Sequence, residues 1–113
     1  MALWLFLAEL WQRFGIPITV DPWYFSAVSA IGFLPAEQIA SILRAHGHAV
    51  LEPVCGLTVM HHDGQFNRFV SQIWIAEPSE TCPVSQLRFF LSHELEHVRQ
   101  WITNGIAVWP GHN

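Results

Sequence analysis

The chain has 113 residues, of which 51% are apolar and only 12% charged. That is the size and make-up of one ordered folding unit, and it excludes a disordered tail or a coiled coil. Five basic residues, all of them arginine, stand against nine acidic ones for a formal net charge of −4, so there is no basic stripe for phosphate contacts and nucleic-acid binding is not expected.

In chain order, Leu3, Leu7, Leu10 and Phe14 recur at the spacing of one helix face, and Gly15 is a natural stop. Trp4 and Trp11 widen that face, so this helix is expected to pack on the domain; the alternative is a helix lying on a membrane surface. The opening MALWLFLAEL lacks a basic n-region and meets Glu9, Trp11, Gln12 and Arg13 before any small-residue cleavage site. It also falls short of the roughly 20 apolar residues a membrane span needs, so a soluble cytoplasmic protein is expected. Asp21 before Pro22 reads as an N-cap with proline at the first helical position, predicting a second helix from about Pro22 to Ile31 that stops near Gly32. A third is predicted from Pro35 to His46, with Ile39, Ile42 and Leu43 inward and Gly47 ending it. These helices occupy about residues 2–47.

Residues 56–77 change character, becoming β-prone from Gly56 to His62 and from Phe66 to Glu77. Asp63-Gly64 between them predicts a two-residue hairpin, with IWIA, Ile73 to Ala76, in its second strand. Cys55 and Cys82 are too few for a disulfide framework and are not spaced as a zinc pair. They are expected as reduced core thiols, a single bridge in an oxidising compartment being the alternative. After the loop EPSETCP, Pro83 suits the start of a last helix, with Thr81 or Cys82 as cap, running from about Val84 to Thr103 and ending at Asn104-Gly105. The fold class predicted is α+β within one domain, residues 1–113, with the long helix at about 83–104.

That last helix contains His93-Glu94-Leu95-Glu96-His97, an H-E-x-x-H pattern. Histidines four apart stand one turn above each other, so both rings can reach one zinc ion, with Glu94 beside its water. On a wheel centred on Glu94, residues Phe90, Leu87, Val98, Leu91, Trp101, Val84, Ile102 and Leu95 fall between about −40° and +100°, while Ser92, Glu96, Arg99 and Arg88 lie opposite. Glu94 therefore sits inside the apolar arc, where an ionised carboxylate is costly without a compensating partner. His97 and His93, at about −60° and −100°, flank that arc where a cleft can reach them.

The stretch SHELEHVRQW, with Gly105 and Pro110 downstream, resembles the zincin metallopeptidases, most closely small gluzincin-like bacterial domains with HELxHVRQ-type helices. The resemblance covers roughly residues 92–110 and implies a small zincin-like fold, Zn²⁺ on His93 and His97, Glu94 as general base and later proton shuttle, and a peptide or protein substrate. Peptidases of this kind bind an extended substrate along an edge strand beside the active helix. The family also implies a third protein ligand. Thr103 stands where a metzincin has histidine, and no Asp or Glu follows Glu96. The remaining candidates are His112, then His61 or His62, the alternative being a third ligand absent from this chain.

Of the other residues, His46 and His48 flank Gly47 at a helix end and read as capping. Glu96 with Arg99 or Arg88 reads as a solvated face, and Trp101 and Trp109 as core or cleft wall. The only tyrosine, Tyr24, is far from the motif in sequence. The rival readings are a catalytically inactive zincin-like module and a membrane-peripheral protein that works through its Trp-rich first helix.

Overall fold

The computed structural model describes residues 1–51 and 53–104. It is an α+β arrangement: α1 (Leu3–Phe14), α2 (Tyr24–Ala27), β1 (Val28–Leu34), α3 (Ala36–Ala45), β2 (Gly56–Asp63), β3 (Arg68–Ala76) and α4 (Leu87–Asn104), the last preceded by a 3₁₀ turn at Val84–Gln86. The sheet order is β1-β3-β2, with β1 parallel and β2 antiparallel to the central β3. Side chains alternate across a strand, and the two faces have separate cores. Ile31, Ile73 and Ile75 pack with Leu3, Phe6 and Leu10 of α1 and with Leu87, Leu91, Leu95 and Val98 of α4. On the other face Leu57 and Ala76 pack with Ile39 and Leu43 of α3, alongside Trp74 and Phe90.

The helix ends follow local chemistry. Gly15 takes φ 67°, and the N–H groups of Gly15 and Ile16 turn back to the carbonyls of Trp11 and Leu10, closing α1 in the manner only glycine allows cheaply. The buried stripe of α1 is Leu3, Phe6 and Leu10, whereas Trp4 and Trp11 are 61% and 59% exposed. The expected widening of the inward face is thus corrected, because both indoles lie on the outward side of that stripe. At α3, Ile39 and Leu43 are buried as expected, and the His46 ring Nδ1 sits 2.8 Å from the Ile42 carbonyl.

The second predicted helix is corrected most. Asp21 makes a local turn, its Oδ1 accepting from the Trp23 N–H at 2.9 Å, but it is not the N-cap: the helix starts at Tyr24 with Trp23 before it and lasts one turn, and residues 28–34 are a strand. Val28, Ile31 and Phe33 find partners in Ser71, Ile73 and Ile75 of β3, a pairing between segments about 40 residues apart that local capping rules do not see. Gly32 is not a helix stop; a Cβ there would come within 3.1 Å of the Trp74 ring.

The hairpin pairs Asp63 with Arg68, so its loop has four residues, Gly64 to Asn67, rather than two. Asp63 Oδ1 accepts from the Gln65 N–H at 3.0 Å, and Asn67 rather than Gly64 takes the positive φ, at 49°. Neither Thr81 nor Cys82 caps the last helix. Pro83 opens the 3₁₀ turn, which leaves Val84 42% exposed instead of in the apolar arc. Cys55 and Cys82 form a disulfide and are not reduced thiols; the fold brings the start of β2 against the loop before α4. No helix among the described residues is long and apolar enough to cross a membrane.

Candidate metal centre

On α4 the wheel holds. Glu94 is 4% and His97 7% exposed among Leu87, Leu91, Leu95, Val98 and Trp101, while His93 is exposed. The i, i+4 spacing continues beyond the histidines. Phe89, His93, His97 and Trp101 form a ladder of rings with successive centroids 6.2, 4.7 and 5.3 Å apart. This ladder sets the two imidazoles edge to face, with Nε2 of His97 3.2 Å from Nε2 of His93.

That separation is a test of fit. Two nitrogens each about 2.0 to 2.1 Å from one tetrahedral zinc lie ~3.3 Å apart, so His93 and His97 present their Nε2 atoms at the spacing such a pair of ligands needs. Among the described residues no group of three or more His, Cys, Asp or Glu is placed to hold a metal ion. His61 and His62 are not brought to the pair. Both are exposed towards the hairpin end of β2, where His62 Nε2 is 3.1 Å from Asn67 Oδ1 and its ring meets Phe69 edge-on. His112, Trp109, Gly105 and Pro110 lie outside the described residues.

Glu94 is held against the sheet. The Thr58 hydroxyl donates to its Oε1 at 2.7 Å and lies 3.3 Å from its backbone carbonyl. Gly56, two residues earlier on the same strand, runs so close that a Cβ there would stand 2.7 Å from Oε2. Burial pushes the Glu94 carboxyl up to about 7, outweighing the lowering by the Thr58 hydroxyl. Its neighbour Glu96 points away and is gripped by Arg99, which holds its carboxyl below the usual range, as expected of a solvated face.

His93 and Glu94 open onto a cleft of about 600 Å³, walled by Phe89 and Phe90 of α4, Gly56 of β2, His48 to Leu51, Pro53 and Val54. His48, read from sequence as capping, is thus part of the wall. Tyr24 is brought to α4, but beside Glu96 and Arg99 rather than in the cleft; burial first, then the Glu96 charge, raises its phenol.

The strand beside Glu94 is β2, an edge strand that pairs with β3 alone among the described residues. IWIA lies in the central strand instead. The other edge, β1, is partly covered, since Met1 and Ile31 exchange backbone hydrogen bonds at 2.8 and 3.0 Å. Thr58 and Gly56 were not singled out from the sequence as site residues, nor were Ala49, Val50, Leu51, Pro53 and Val54; the alternation of Gly56 and Thr58 entering a strand is the signal they leave. Comparison of the chain with protein-family models, curated proteins and solved structures finds no match.

Proposed function

We propose that this chain is a zincin-like metallopeptidase that hydrolyses peptide bonds, with His93 and His97 holding zinc and Glu94 acting as general base. The observation carrying this is the meeting of two imidazole nitrogens 3.2 Å apart with a buried carboxylate one residue from the first of them, His93 and Glu94 both lining one cleft. Zinc bound there would supply Lewis-acid chemistry, polarising a carbonyl and making water easier to deprotonate. Glu94 takes the proton of the attacking water and returns it to the leaving amine, its burial favouring the protonated form it passes through. The open edge of β2 offers main-chain hydrogen bonds to an extended peptide. The cleft wall, with Leu43, Val50, Val54, Phe89 and Phe90 and no arginine among the described residues, favours an apolar side chain over an acidic one.

The test has two parts. Purified protein should carry zinc that is lost on His93→Ala, and cleavage of a quenched-fluorescent peptide with apolar residues should vanish on Glu94→Gln with zinc retained. Zinc without cleavage would make the chain a binding module, and absence of zinc would reduce the histidine pair to a hydrogen-bonded one. The disulfide favours an oxidising compartment over the cytoplasm. A second reading has its own observation: Met1, Trp4, Leu5 and Trp11 are exposed together on and beside α1, a surface suited to peripheral membrane contact. Flotation with phospholipid vesicles that depends on Trp4 and Trp11 would support it; no flotation would remove it.

A further inference from the structure

The geometry points to Thr58 and Gly56 of the edge strand as positioning residues for Glu94, the hydroxyl tethering one carboxylate oxygen and the absent side chain making room for the other. This rests on the reading of Glu94 as the general base.

A glutamate side chain is long, and a buried one without a fixed partner would scatter over several rotamers. Thr58 is 2% exposed, pairs with Ile73 in the sheet, and is the one side chain among the described residues that hydrogen-bonds Glu94. With Oε1 engaged at 2.7 Å, Oε2 is left beside Gly56, whose backbone lines the cleft. Because side chains two apart share a strand face, Thr58 and Gly56 both meet the same carboxylate. The strand proposed to receive the substrate therefore also sets the direction in which the base faces it.

A threonine that only satisfied a buried polar group would leave turnover alone once the chain had folded. The test uses the full chain loaded with zinc and the apolar quenched-fluorescent peptide. Thr58→Val should keep zinc content and KM while kcat falls about 10- to 100-fold, the loss of one hydrogen bond to a charged group. Thr58→Ser, which restores a hydroxyl, should recover most of it, and Gly56→Ala should lower kcat by crowding Oε2. Thr58→Ala replaces Thr58→Val if the latter does not fold. An unchanged kcat in Thr58→Val, or a Thr58→Ser variant no better than it, overturns the proposal.

If the wild-type chain cleaves nothing, the general-base reading fails separately, and the tether is decided on metal-free protein by urea unfolding of Thr58→Val, Glu94→Ala and the double variant. A double-variant midpoint shift clearly smaller than the sum of the single shifts sustains the tether, and additive shifts overturn it.

Discussion

Glu94 carries the cost of its own burial. Its carboxyl is raised from 4.5 to about 7, so the folded state binds a proton more tightly than the unfolded one. Stability from this group is therefore full below about pH 4.5 and is lost as pH rises through about 7. In metal-stripped protein the unfolding free energy should drop by about 3 kcal/mol across that window, and Glu94→Gln should flatten the profile. Chemical denaturation at a series of pH values checks it; a wild-type profile as flat as the variant's would show that Glu94 is solvated. The inward placement of Glu94 was legible on the helical wheel, because 100° per residue is a property of the chain locally. Its tether was not, since Thr58 and Glu94 are 36 residues apart and nothing near either names the other.

At the scale of elements, the disulfide and β1 are the two places where local reading and fold part company. Cys55 and Cys82 close a loop of 27 residues in sequence separation, containing the hairpin and clipping the start of β2 to the approach of α4. Opening it with a dithiol reductant, or by Cys55→Ser with Cys82→Ser, should lower stability by roughly 3 to 4 kcal/mol from the loop's restored freedom. Thermal melts of both forms would measure this, and coincident melts would refute it. For β1, Gly32→Val separates strand from helix. In a strand where a Cβ on Gly32 would stand 3.1 Å from the Trp74 ring, the larger side chain forces the indole aside and costs about 1 to 3 kcal/mol. At a helix stop on the surface it would be mild. The terminating Gly15 and the stripe of α3 needed no such partner and were readable from local spacing, whereas α4, expected from Val84, starts at Leu87.

For the molecule as a whole, one face of the sheet is stabilised by α1 and α4 together, so the helix bearing the histidines is not an independent part. Phe6, fully buried and 4.9 Å from Phe33, lies in the core they share. Phe6→Ala should cost about 3 to 5 kcal/mol and, if His93 and His97 hold zinc as proposed, should weaken its retention along with the fold. Zinc, if bound to the native state only, should raise the unfolding free energy by about 2.7 kcal/mol at a hundredfold excess over Kd. His93→Ala should abolish that gain and His62→Ala leave it, a contrast measurable by thermal shift with and without a chelator.

Periodicity was enough to establish an α+β chain, the extents of α1 and α3, the body of α4, two strands around residues 56–77 and a glutamate turned inward between paired histidines, because each depends on residues within a few turns of one another. Only the tertiary structure decided that residues 28–34 are a strand, that the two cysteines join, that β2 rather than β3 is the edge beside α4, and that Thr58 meets Glu94. Each of these is a contact between segments tens of residues apart, chosen by which surfaces bury each other best in three dimensions.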